Sequence, residues 1–586
     1  MRVDVGSLDD LKEKGCLTGK LGSHPVCVFW HEEHAFAIDD RCPHLGFPLH
    51  RGTVENGIIT CHWHHARFDL CTGGTLDPFA DDARAYLVDI AGGRVVVSAE
   101  VQPFDKDRTL RRLEEGLEDG LSLVIAKAVL AHGEAGEPVA DLVSAGACFG
   151  SRFREQGFGP GLTVLCAMAN VLDCLEEADR PLALVHGLSF LSGDTRGRPP
   201  RFALAPLSGP STPPVERLGS WYRRFIESRS GDAAERVLAS AISSGAPLAA
   251  LSRMMGAAAT DHLFLDEGHI LDFTNKAFEL VGHLGPASAA LILPTLVHET
   301  AGATRHEEEG AWRHPYDLAG LCDAAASELP GVLDRAGWDG VAPRGAAAES
   351  FEKGGGPSDL AWRIVEGEPQ PIVEAILDAI GKGASAEQLG RAVALAAALR
   401  ITRFHVQNDH GDWNVVHHGF TTANALHQML VRAPSALLLR GLVQLALKVY
   451  LDRFLNVPAA RLPKDVAGDL GDLPACWDVE GMVDEAGRIA YGFLRGGGKR
   501  EELLAQLGGG LLAEDAGFHW FQTYEAAARQ AAGWPRGSEE EALILAGTAR
   551  FLAAHTPTRR ELSQTVRIAI RLRRGEALYE EAEPPA

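Results

Sequence analysis

The chain has 586 residues, 46% hydrophobic, 7% aromatic and 23% charged, enough apolar material for several packed domains. Its 56 Lys and Arg against 79 Asp and Glu give a net charge of −23, which repels phosphate backbones and anionic lipid and so excludes nucleic acid and membrane surfaces as expected partners. The opening MRVDVGSLDD lacks a basic-then-apolar leader, Arg440 and Lys448 interrupt the most apolar run (436–451), and ten scattered cysteines make no disulfide scaffold, so a cytoplasmic protein with reduced or metal-bound thiols is expected.

Up to about residue 105, short β-like runs (Val26–Trp30, Gly57–Cys61, Arg94–Ser98) alternate with Gly, Asp and Pro turn signals, which predicts a small antiparallel β domain over 1–104. From Arg108 onward, Ala/Leu segments such as 371–380 and 386–400 carry i, i+3, i+4 apolar spacing and predict helices. The fold class expected is therefore multidomain, a small all-β domain followed by a large all-α domain over 105–586. Segments near 235–305, 372–452 and 486–556 share an order of features, and HILDFTNKAF (269–278), HGFTTANALH (418–427) and HWFQTYEAAA (519–528) fall in one register. A fourth copy near 122–192, around Asn170, has no histidine on that helix. Such repetition predicts a pseudo-symmetric helical bundle or array, interrupted by connectors at 192–219, 338–358 and 456–475.

The sharpest motif is CPHLGFPLH (42–50) followed by CHWHHARFDLCTGG (61–74). Cys42-x-His44 and Cys61-x-x-His64 offer two thiolates and two imidazoles from two loops, the set that a [2Fe–2S] centre with mixed ligands requires. A structural zinc ion also takes Cys2His2, but the C-x-H order and the β context favour iron–sulfur. Residues 1–104 resemble Rieske domains, which implies a [2Fe–2S] cluster on Cys42, His44, Cys61 and His64. The respiratory subtype joins its two cluster loops by a disulfide; Phe47 and Trp63 stand there in this chain, so the resemblance is to the ferredoxin and oxygenase type. Cys16, Cys27 and Cys71 read as ordinary thiols, and His50, His62, Trp63 and His65 surround the cluster loops.

The helical part lacks the D-x2-H-x4-H iron triad of common Rieske oxygenases: His405 and His410 have the histidine spacing, but Thr402 stands where the Asp is needed. Its histidines instead recur at helical intervals. His262, His269 and Lys276 are seven apart, as are His410, His417 and Asn424, with His427 one turn further. His269, His418 and His519 each precede Asn275, Asn424 or Glu525 by six, a spacing that marks a repeat more than a shared helix face. Imidazoles turned toward a common interior would make a bundle-core site for iron, copper or zinc. The candidate ligands are His269, His417, His418, His427, His262, His410, His298 and His405, with His283 and His519 beside them, while His306, His314 and His555 read as structural.

The segments FHVQNDHGDWNVVHHGFTTANALHQMLVRAPSALLLRGLVQLALKVYL (404–451) and GHILDFTNKAFELVGH (268–283) resemble the questin-oxidase-like family of helical oxygenases. The resemblance implies an all-α fold, oxidation of anthraquinone-type aromatic polyketides, and non-haem iron held by histidines with, in some members, a carboxylated lysine. His418 before Gly419 and Phe420 is similar to a family histidine, and His269 to an earlier one; Phe278 takes the register position of His427. Lys276 is the candidate for the carboxylated lysine and Lys448 the second, against an ordinary solvated lysine. GFGPG (157–161) and LRGGGKR (494–500) fail the dinucleotide and phosphate-loop patterns, so electrons are expected from a separate reductase or ferredoxin. The expected function is an oxidoreductase, an O2-dependent mono- or dioxygenase passing electrons from the cluster to a non-haem iron to oxidise an apolar small molecule, in a possible homo-oligomer. Two alternatives stay open: an electron-transfer or redox-sensing protein with a helical docking scaffold, and a haem-binding oxidase with an axial ligand among His269, His418 and His427.

Overall fold

A computed structural model describes residues 2–101, 104–154, 157–209, 213–338, 351–464 and 468–578. The chain divides into two compact units, one of Met1–Ala145, Leu184–Arg196 and Arg560–Ala586, the other of Gly146–Ala183 and Gly197–Arg559.

In the first unit, β1 (Arg2–Ser7), β2 (Cys16–Leu21), β3 (His24–His31), β4 (His34–Asp39), β8 (Ala85–Ala91) and β9 (Arg94–Val101) form an antiparallel sheet of order β1-β9-β8-β4-β3-β2. A second sheet has the order β5 (Thr53–Glu55), β6 (Ile58–Thr60), β7 (Arg67–Asp69). The VCVFW run is apolar throughout because β3 is buried on both faces: Cys27 and Phe29 enter a core with Ile38, Ile59 and Phe68, while Val26 and Val28 meet Leu11, Val95 and Val97. Cys42 and Cys61 belong to the first of these cores, so the two motif loops hang from one packed layer.

The same unit also holds helices beyond the β segment. The Lys106–Asp119 helix, capped by the Asp105 carboxylate, packs on Ser122–Glu134, which packs on Glu561–Arg573. Arg112 donates to the carbonyls of Pro78 (3.0 Å) and Ala80 (2.7 Å), and Arg108 pairs with Asp82 at 2.6 Å, fastening the first helix to the β fold.

The second unit is helical among the described residues. Its centre is a ring of four helices, Pro160–Val171, His269–Leu284, His410–Arg432 and Phe518–Ala532, each packed on the next and the last on the first. Each comes from a different one of the four segments that share a register. No helix among the described residues is long and apolar enough to cross a membrane.

One expectation about local structure is corrected. His262, His269 and Lys276 do not share a continuous helix, because the helix begins at His269. A turn over Leu265–Gly268 precedes it, with Phe264, Asp266 and Glu267 all in the left-handed region (φ 46°, 50° and 57°). Gly268 (φ 95°) could not carry a side chain there, since a Cβ would stand 2.1 Å from Thr422 Oγ1.

Candidate metal centres

The two motif loops close in the same way. Cys42 N–H donates to Phe47 O (2.8 Å) and Gly46 N–H to Cys42 O (2.7 Å); Cys61 N–H donates to Ala66 O (2.8 Å) and His65 N–H to Cys61 O (3.1 Å). Both need a left-handed residue four places after the cysteine, supplied by Gly46 (φ 80°) and His65 (φ 61°). This geometry turns the N–H groups of His44 and Leu45 onto the Cys42 sulfur and those of Trp63 and His64 onto the Cys61 sulfur. The two sulfurs face each other: the Cys42 thiol donates to Cys61 and, with the backbone N–H groups, pulls Cys61 down, while the same contact and burial push Cys42 up, so the pair shares one proton. The His44 and His64 rings lie 4.8 Å apart at 82°. Burial pushes His44 down to about 4, with help from the charges of His64 and Lys127, and its buried Nδ1 has no hydrogen-bond partner among the described residues.

Two cysteine sulfurs and two imidazoles on two facing loops are the donor set that a [2Fe–2S] cluster takes. Among the described residues, a group of three donors whose ligand atoms all lie within 4.8 Å of one another is a different one. Phe47 and Trp63 stack at 5.7 Å between the two loops, and all ten cysteines are free thiols. His50 is held by Asp40 (2.8 Å) and His62 by Thr53 (2.7 Å).

That different group is His269, His418 and His519, in the four-helix ring. His418 Nε2 lies 3.5 Å from His519 Nε2, and the His269 ring stacks on His519 (5.5 Å, 10°) and meets His418 edge-on (4.7 Å, 73°). His269 and His519 sit in the first turn of their helices, where the positive end of the helix dipole disfavours imidazolium. Burial pushes His269 down to about 4 and His519 to about 3, so both rings are neutral at pH 7. The Nδ1 atoms of both are buried without a hydrogen-bond partner among the described residues.

His418 Nδ1 donates to Glu267 Oε2 at 3.1 Å, and this bond draws the Glu267 carboxyl down to about 2. The carboxylate fixes the proton on Nδ1 and leaves Nε2 bare toward the other two rings, the arrangement that orients a metal-binding imidazole. The left-handed turn before His269 is what carries Glu267 to this position. His417 lies beside the trio, 4.2 Å from His519 and 4.4 Å from His418 between ring centres; it is fully buried, and neither ring nitrogen has a hydrogen-bond partner. Phe273, Phe518 and Phe551 wall the rings. Val164, six residues before Asn170, occupies the histidine register on the fourth helix.

The register partners Asn275, Asn424, Glu525 and Asn170 also converge, in a buried polar layer. Lys276 Nζ donates to Glu279 (2.7 Å) and Glu525 (2.9 Å), and Asn170 donates to both carboxylates (2.8 and 3.2 Å). Lys276 is therefore neither solvated nor a carboxylated ligand: it is 3% exposed, and its two carboxylate partners hold it as an ammonium, whereas carboxylation requires a free amine. Lys448 is likewise ion-paired, with Asp452, and donates to Val415 O (3.2 Å). Between the histidines and this layer, Asp272 accepts from Thr421 (2.9 Å) and Gln522 (3.4 Å).

The remaining candidates lie apart from the trio. His427 is bonded to Gln530 (3.0 Å), His262 sits between Glu227 (2.7 Å) and Glu307 (2.6 Å), and His298 pairs with Glu235 (3.2 Å). His405 accepts the Gln407 N–H (3.2 Å), and His283 bonds Asn170 (2.7 Å). The side chain of His410 is outside the described residues. Sequence reasoning thus found His269 and His418, held His519 as a secondary candidate, and missed Glu267, for which no motif exists.

Residues 1–86 match the Rieske [2Fe-2S] domain. A human Rieske domain-containing protein is 32% identical, over 18% of this chain and 79% of its own length. The ferredoxin component of the naphthalene 1,2-dioxygenase/salicylate 5-hydroxylase systems of Ralstonia sp is 31% identical, over 17% of this chain and 95% of its own. The solved ferredoxin of carbazole 1,9a-dioxygenase from Nocardioides aromaticivorans IC177 is 29% identical, covering 17% of this chain and 97% of that one, with a TM-score of 0.16.

Proposed function

Because the chain belongs, through residues 1–86, to the family of proteins with a Rieske [2Fe-2S] domain, we propose that it is a Rieske-type oxygenase whose helical unit holds a non-haem iron on His269, His418 and His519. The observation that carries this reading is the convergence of three imidazoles whose donor atoms lie within 4.8 Å of one another, two of them with a buried nitrogen that has no hydrogen-bond partner among the described residues. Cys42, His44, Cys61 and His64 would hold the cluster, which would supply electrons one at a time, and His269, His418 and His519 would hold the iron, which would supply O2 activation.

The chain's own residues do the rest. Glu267 orients His418 and keeps its Nε2 free of the proton. Phe273, Phe518 and Phe551 exclude water and present an apolar, aromatic surface suited to an aromatic or polyketide-like small molecule. His417 keeps one N–H and one bare nitrogen available to a bound ligand. A separate reductase or ferredoxin supplies electrons, in line with the oxygenase systems named for the relatives.

The test is cluster reoxidation. Protein reduced anaerobically is mixed with O2, and the visible absorbance of the cluster is followed in wild type and His418→Ala. The reading predicts reoxidation at least about tenfold slower in the variant; equal rates would overturn it.

A further inference from the structure

Lys127 stands on the Ser122–Glu134 helix, beyond the residues that match the Rieske domain, yet within the same compact unit. It is 4% exposed and makes no hydrogen bond or ion pair among the described residues. It lines a cavity of about 60 Å³ together with Arg41 and Pro43, which flank or adjoin Cys42, and with Asp81, Arg84 and Arg573. A cavity that size holds a few waters and no substrate. The carboxylates nearby have partners of their own: Asp81 pairs with Arg112 (3.8 Å), Asp82 with Arg108 (2.6 Å), and Asp39 accepts from Tyr86 (2.5 Å). An ammonium so placed is costly unless some other negative charge faces it. Asp81 on the cavity wall is the first of the charges that favour the ammonium, and the Cys42 sulfur in the adjoining loop is the next; the lysine's charge in turn helps push His44 down.

We infer that Lys127 is a potential-setting residue, a fixed positive charge that the appended helices place beside the cluster loops to favour the reduced cluster. Two ferric ions, two sulfides, two thiolates and two neutral imidazoles sum to zero charge, so reduction by one electron creates a net negative charge with no proton required. An ammonium in a low-dielectric setting stabilises that added charge more than it stabilises the neutral oxidised form. Burial lowers Lys127 only to about 8, so it remains cationic at neutral pH. The Glu561–Arg573 helix, packed on the lysine's helix, closes the cavity with Leu572, whose side chain lies 3.0 Å from where a Cβ on Gly46 would stand. Any larger residue at position 46 would push this wall, so loop and clamp fit each other. The inference rests on the cluster alone and is independent of the iron proposed for the helical unit.

The experiment is an EPR-monitored potentiometric titration of the full-length protein, in wild type, Lys127→Met and Lys127→Gln. Both neutral variants should lower the reduced-to-oxidised ratio at a given applied potential about tenfold, which is ~59 mV for one electron. The shift should persist at high salt, because a buried charge is little screened. A wild-type midpoint in either variant that retains the cluster signal overturns the proposal, as does a shift that vanishes in salt. Should one variant fail to hold a cluster, the other gives the same reading.

Discussion

At the scale of single residues, the second centre depends on Glu267 as much as on the three imidazoles. Its carboxylate meets His418 Nδ1 at 3.1 Å and settles which nitrogen is bare. Glu267→Gln keeps the shape but gives up the charge, and removing such a partner typically costs 10–100-fold in metal affinity. Titration with ferrous iron under anaerobic conditions, of protein that keeps its cluster but has been stripped of weaker-bound metal by a chelator, should therefore show roughly that loss, while the cluster spectrum stays unchanged. Affinity equal to wild type would mean that Glu267 does not orient the ligand. Nothing in the sequence pointed to this residue. Its position depends on three consecutive departures into left-handed backbone around Asp266, and no local pattern announces those. The cluster ligands were legible for the opposite reason: each pair lies within four residues on one short loop, where neighbours in sequence are neighbours in space.

At the scale of elements, the four-helix ring explains why the six-residue spacing misled. Six positions along one helix do not share a face, but the histidines do not need to share a face with their own Asn or Glu. They need only lie at the same level of four different helices, and the register that aligns His269, His418 and His519 sets that level. The next level holds Asn275, Lys276, Asn424, Glu525 and Asn170 for the same reason. Lys276 is the hub of that polar layer, and the expectation of a ligand lysine failed because the sequence does not show which carboxylates reach it. Lys276→Met would remove the buried ammonium between Glu279 and Glu525 and leave them Arg529, 3.7 and 2.8 Å away, a change expected to cost about 3 kcal/mol. Chemical denaturation followed by far-ultraviolet circular dichroism checks this. Undiminished stability together with lost iron would instead restore the lysine to a ligand role.

At the scale of the whole molecule, composition and periodicity located the change from strand to helix near residue 105 and assigned both fold classes. What they did not show is that three helices, Lys106–Asp119, Ser122–Glu134 and Glu561–Arg573, pack in one unit with the β fold, since the last is more than 400 residues distant in sequence. The proposed function gives the chain two redox centres of different ligand chemistry: thiolate and imidazole from loops, and imidazole alone from helices. The most direct test of that account is iron per chain on anaerobically purified protein, in wild type, in Cys42→Ala/His44→Ala and in His269→Ala/His418→Ala. The account predicts about three irons in wild type, about one after loss of the cluster ligands and about two after loss of the histidines, since the cluster holds two. No iron remaining in the cluster-less variant, or an unchanged content in the histidine variant, would contradict it and leave a Rieske electron carrier with an inert helical unit.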